Sequence, residues 1–123
     1  MEELNKLIKE QAEKTALYQQ YLSYGDKYFK NKNLLKALEK YNAAKEIKWT
    51  SEIVQKIEDT ELLREKYKRH KNNGNSDFES GNFKRAIEEY ETAIEIDNTD
   101  RKIRRKLESA REKAIEKPKV IRL

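Results

Sequence analysis

Apolar residues recur along this chain three, four or seven positions apart, the spacing that puts them on one face of a helix. Leu4, Leu7, Ile8, Thr15, Tyr18, Leu22, Gly25 and Phe29 form the first such stripe and predict a helix over about 3–31. Asn31-Lys32-Asn33 follows as a turn, because Asn tolerates left-handed and capping conformations. Leu34, Ala37, Leu38, Tyr41, Ala44 and Ile47 then predict a second helix over about 34–48. A hydroxyl at Thr50-Ser51 can cap the next helix, with Glu52 in its first turn. Ile53, Ile57, Leu62 or Leu63, Tyr67, Gly74 and Phe78 carry that helix over 51–79. Gly81 supplies a turn residue free to take positive φ. Phe83, Ala86, Ile87, Tyr90, Ala93, Ile94 and Ile96 predict a helix over 83–97. Ile103, Leu107, Ala110, Ala114 and Ile115 predict a last one over 101–117, and Pro118 disfavours its continuation into the tail 118–123. The reading is all-α.

Shifting the sequence by 49 residues makes its two halves answer one another without a gap. Tyr18 falls on Tyr67, Gly25 on Gly74, Phe29 on Phe78, Asn33 on Asn82 and Ala37 on Ala86. Tyr41 falls on Tyr90, Ala44 on Ala93 and Ile47 on Ile96. Matched aromatics and small residues at helical spacing are a repeat, not shared Lys/Glu bias. The run Asn72-Asn73-Gly74-Asn75 alone would read as a loop. A glycine in the same place in both halves points instead to a helix whose backbone is closely approached by another. Trp49 is expected to anchor the junction between the hairpins.

Composition narrows the picture. With 36% hydrophobic and 41% charged residues, a core must come from narrow stripes. Three Gly and one Pro leave little material for β-turns. The absence of Cys removes disulfides, thiolate metal sites and cysteine nucleophiles. No apolar run approaches the roughly 20 residues that span a bilayer, and Met1–Lys6 lacks a signal-like start, so the expectation is a cytoplasmic protein with no membrane partner. The net charge of +5 is uneven, with basic residues concentrated from Arg101 onward and acidic ones between Asp77 and Asp100.

These residues resemble the tetratricopeptide repeat family. Ala37-x3-Tyr41-x2-Ala44 and Ala86-x3-Tyr90-x2-Ala93 match the spacing of its second helix. Gly25 and Gly74 stand where its first helix carries Gly, and Gly81-Asn82-Phe83-Lys84-Arg85-Ala86 resembles its turn. The resemblance implies a right-handed α-solenoid of two hairpins, about 3–48 and 51–97, plus a capping helix 101–117. It departs from the family in its period, 49 residues rather than the usual ~34. Either the first helices are extended at their N-terminal ends, or residues 50–66 cap the first unit and run on into the second.

The resemblance also implies a non-catalytic module that binds a peptide or helix of a partner protein. By motif position its groove residues are Gln19, Leu22, Asp26, Phe29 and Lys30, then Lys68, Lys71, Asn75, Phe78 and Glu79. Lys71 and Asn75 further resemble a carboxylate clamp. Two alternatives come from the residues themselves. Leu17, Tyr21, Tyr24 and Tyr28 form a second apolar face that suits a homodimer. The basic residues Arg64, Lys66, Lys68, Arg69, Lys71 and Arg101–Lys106 suit nucleic acid, although interspersed Glu and core-bound aromatics argue against it. His70 is the sole histidine, with no nucleophile–base–orienter set at helical spacing around it. No phosphate loop or metal-ligand cluster is visible, so no cofactor, metal or enzymatic activity is expected.

Overall fold

The computed structural model describes residues 1–116, and among them are five helices and no strand. They are α1 (Glu2–Lys30), α2 (Leu34–Ile47), α3 (Ser51–Glu79), α4 (Phe83–Ile96) and α5 (Arg101–Glu116). Pro118 and the expected tail lie outside the described residues. The chain divides into two compact units, Met1–Leu62 and Leu63 onward, with the boundary inside α3. Residues 51–62 fall in the same compact unit as α1 and α2.

In unit 1, Tyr18 and Leu22 of α1, Ala37, Tyr41 and Ala44 of α2, and Ile53 and Ile57 of α3 form one buried cluster. Tyr21, Tyr28, Phe29, Leu38 and Ile47 pack around it, half-buried. In unit 2 the cluster is Ala86 and Tyr90 of α4 with Ile103, Leu107 and Ala110 of α5, flanked by Phe78, Ile87 and Ile94. Each unit is thus a helical hairpin closed by the start of a third helix. The alanines sit where ring and backbone pack most closely, and larger side chains would hold the helices apart.

The two glycines make that approach possible. A Cβ on Gly25 would land on the ring carbons of Tyr41, and one on Gly74 would come within 2.6 Å of the Tyr90 ring. Close helix–helix contact, expected from the repeat, is the reason both positions are Gly, and the Asn-Asn-Gly-Asn run is helix.

Both first helices end in the same hydrogen-bond pattern. In unit 1, Asn33 N–H donates to Tyr28 O (2.9 Å) and Lys32 N–H to Phe29 O (3.0 Å). In unit 2, Asn82 N–H donates to Asp77 O (2.8 Å) and Gly81 N–H to Phe78 O (3.1 Å). This is the Schellman closure, whose central residue takes positive φ. That residue is Lys32 at 62° and Gly81 at 81°. The left-handed position in unit 1 therefore falls on Lys32, not on either Asn; Asn33 instead caps α2, accepting from Lys36 N–H.

Three expectations are corrected. Trp49 is 67% exposed and anchors nothing, because Lys48 is extended and Thr50 turns inward to cap α3. Of the alternatives Leu62 and Leu63, Leu62 is exposed and Leu63 half-buried, and the buried residue of this stretch is Thr60, its hydroxyl donating to Lys56 O (2.7 Å). A threonine satisfied by its own helix in this way is apolar enough to bury. Of the α1 stripe only Tyr18, Leu22 and Gly25 are buried and Phe29 half-buried, whereas Leu4, Leu7 and Ile8 are exposed.

Candidate functional site

The expected groove residues lie on α1 in unit 1 and on α3 in unit 2, at equivalent repeat positions. In unit 1, Gln19 and Lys30 are exposed, but Leu22 is buried in the core and Phe29 packs against it. Leu22 is therefore not available to a partner. Asp26 stays at the surface, held between two donors: the Tyr41 hydroxyl (2.5 Å) and Lys56 Nζ (3.1 Å).

In unit 2, Lys68 and Glu79 are exposed, with Lys68 Nζ 3.8 Å from Glu65. Lys71 Nζ lies over the Tyr67 ring and 4.0 Å from Asp100. Asn75 Oδ1 accepts from the Tyr90 hydroxyl (2.7 Å) and from Lys106 Nζ (2.9 Å). Phe78 is half-buried, edge-on to Phe83 with ring centroids 5.4 Å apart. The two members of the expected clamp thus face internal partners: Lys71 toward Asp100, and the carbonyl oxygen of Asn75 toward Tyr90 and Lys106.

The pairing of Lys56 with Asp26 and of Lys106 with Asn75 was missed by sequence reasoning. The two lysines stand 50 residues apart, not 49, because the link between α4 and α5 (97–100) is one residue longer than that between α2 and α3 (48–50). The same slip aligns Ile53, Ile57 and Thr60 with Ile103, Leu107 and Ala110, and Thr50 with Asp100. A comparison allowing that insertion would have found them.

Tyrosine hydroxyls tie each hairpin to its closing helix. Tyr18 bonds Thr50 Oγ1 (2.7 Å), and Tyr67 donates to Asp100 Oδ2 (2.9 Å). Burial pushes the Tyr41 phenol well above its ordinary range, with Asp26 adding to the shift. Burial does the same at Tyr67, helped by Asp100. Tyr90 is raised by burial and then by Glu79 and Asp77. Burial alone would raise Asp100, but the Tyr67 hydroxyl, the Lys102 and Ile103 N–H groups and Lys71 outweigh it and hold the carboxyl below its ordinary value. These phenols are protonated structural donors.

Other titratable groups do not converge. His70 Nδ1 sits 2.9 Å from Glu89 Oε2 on α4, a partner its basic sequence neighbours did not suggest. Among the described residues no group of three or more His, Cys, Asp or Glu is placed to hold a metal ion. A cavity of about 250 Å³ in unit 2 is lined by Gly81, Asn82, Phe83, Lys84, Arg85 and Ala114, none of them an expected groove residue. Among the described residues no helix is long and apolar enough to cross a membrane. Comparison with known protein families, curated proteins and solved structures finds no match to the chain.

Proposed function

We propose that the chain is a non-catalytic protein-interaction module of the tetratricopeptide kind, its hairpins stacking as a short solenoid that presents first-helix side chains to a peptide or helix of a partner protein. One observation carries this reading. In both units the residue directly after the close-packed glycine, Asp26 or Asn75, is held in place by a tyrosine hydroxyl and a lysine from the helix that closes the hairpin. Such pre-ordered polar groups lower the ordering cost of binding. Exposed Gln19 and Lys30 in unit 1, and exposed Lys68 in unit 2, supply the donors, which favour carboxylates on the partner segment.

The test uses exposed positions, so that folding is preserved. Affinity capture with wild type and with a Lys30→Glu/Lys68→Glu variant should yield partners that bind the first and are lost from the second. Equal capture of every partner by both chains would sink the groove reading.

A further inference from the structure

The first half of α1 stands apart from its repeats. Ile53, Ile57 and Thr60 of α3 are buried, as are Ile103, Leu107 and Ala110 of α5. The corresponding residues of α1 are Leu4, Ile8 and Gln11, and residues 1–17 are exposed throughout. Leu4 is 53%, Leu7 61% and Ile8 60% exposed, a solvent-facing apolar turn that water disfavours.

We propose that this half of α1 is the face on which a second copy of the chain docks, the two α1 helices pairing antiparallel about a two-fold axis. Three features choose that occupant. First, α1 lacks the polar tethers with which α3 and α5 hold a hairpin. Leu7 stands where Lys56 and Lys106 reach Asp26 and Asn75, and Met1 where Thr50 and Asp100 meet a tyrosine hydroxyl. A hairpin of this chain's own type would leave its polar edge unmatched there.

Second, size changes along the stripe. Its N-terminal end carries the large side chains Leu4, Leu7 and Ile8. Beyond them the same face is open and shallow, formed by Ile8, Gln11, Ala12, Thr15, Ala16 and Gln19. An antiparallel copy sets large against small in both directions, Leu4 against Thr15 of the other copy and Leu7 against its Ala12. A parallel copy would set large against large and small against small.

Third, charge agrees. Glu3 and Lys14 lie on the same edge of the stripe, one toward each end. Antiparallel pairing brings each Glu3 toward the other copy's Lys14, whereas parallel pairing puts this edge of the two copies on opposite sides of the seam and leaves both charges without that partner. An isologous contact of this kind closes at two copies.

Light scattering and sedimentation of the full chain test the proposal. Wild type is expected to be dimeric at about 100 µM, and Leu4→Glu/Ile8→Glu to raise the dissociation constant by about tenfold or more. Leu17→Glu/Tyr24→Glu, on the other apolar face, should leave it unchanged, as should the groove variant Lys30→Glu/Lys68→Glu. The chain has no cysteine, so single cysteines report orientation cleanly. Mixed Leu4→Cys and Thr15→Cys chains should form the mixed disulfide in preference to either homodisulfide. A monomer at every concentration, a dimer sensitive only to the Leu17/Tyr24 pair, or a dominant Leu4→Cys homodisulfide would each overturn the proposal.

Discussion

Lys32 and Gly81 hold the same place in the two hairpins and adopt the same left-handed backbone, yet only one of them is suited to it. The difference recurs wherever the units are laid side by side. Tyr41 donates to a carboxylate and Tyr90 to an amide. Tyr18 meets a hydroxyl where Tyr67 meets a carboxylate. Lys40 lies over the Tyr21 ring where Glu89 meets His70. Unit 1 leaves large apolar residues at the surface, among them Leu4, Leu7, Ile8, Leu17, Tyr24 and Leu35, whereas Ile115 is their one counterpart from Leu63 onward among the described residues. The hydrogen-bond skeleton is therefore kept while the chemistry filling it varies. What the repeat demands is a donor, an acceptor and a small residue at given places, not a particular side chain.

The sharpest way to break this equivalence is to fill the glycines. A methyl group on Gly25 would overlap the Tyr41 ring, whose hydroxyl is pinned to Asp26; on Gly74 it would meet the Tyr90 ring slightly less closely. Overpacking of this kind costs about 1–3 kcal/mol, against about 1 kcal/mol of helix propensity regained. Gly25→Ala should therefore destabilise unit 1 by about 2 kcal/mol where the ring cannot move, and Gly74→Ala should destabilise unit 2 by somewhat less. Hydrogen exchange of α2 and α4 amides reads the two units separately. Unchanged protection of α2 in Gly25→Ala would mean that the tyrosine ring, not the glycine, adapts.

Next in size is loss of the two buried hydroxyls. Bonds to charged acceptors contribute about 1.5–3 kcal/mol and neutral ones about 1. Asp26 is partly solvated, so Tyr41→Phe should cost about 1.5 kcal/mol, and Tyr90→Phe about 1. Equal losses would erase the distinction between the units. Alkali gives an independent reading. Tyr41, Tyr67 and Tyr90 all titrate above their ordinary value when folded. Their contribution is intact below the unfolded phenol pKa of about 10 and is lost as pH rises beyond it. Both units should loosen above that pH, and each Phe variant should lose part of the dependence.

Smaller still is the turn. Lys32→Gly removes left-handed strain and should stabilise unit 1 by about 0.5–1 kcal/mol, while Gly81→Ala should destabilise unit 2 by about 1 kcal/mol. Opposite signs at equivalent positions, read by denaturant titration, are the expected result. A loss at both would show that the Lys32 side chain holds its turn by other means.

Much of this was legible in the sequence. Helix ends fell within a residue of the observed ones because Asn33, Thr50 and Gly81 mark them chemically. Gly25 and Gly74 were readable because a repeat turns an isolated glycine into a paired one. The reading stopped where polarity misleads. Thr60 is buried through a bond to its own helix, Leu22 is core although its family position suggests a groove, and Trp49 is exposed despite its size. The lysines on Asp26 and Asn75 were hidden by a single inserted residue. Exposure of the first half of α1 was invisible because its stripe is continuous with the buried one.

The smallest expected effect separates the closing contacts. Asp100 is held below its ordinary pKa in the folded state, so its contribution is present above the unfolded carboxyl pKa of about 4 and is lost as pH falls through the lower folded value. The Thr50 hydroxyl in unit 1 does not titrate. Protection of α4 amides should therefore fall as pH drops below about 4 by more than in Asp100→Asn, where the titrating group is gone but an acceptor for Tyr67 remains. Other carboxylates are common to both chains and cancel in that difference. An identical acid profile for the two would place the sensitivity elsewhere, and would make Thr50 and Asp100 interchangeable in charge as well as in hydrogen bonding.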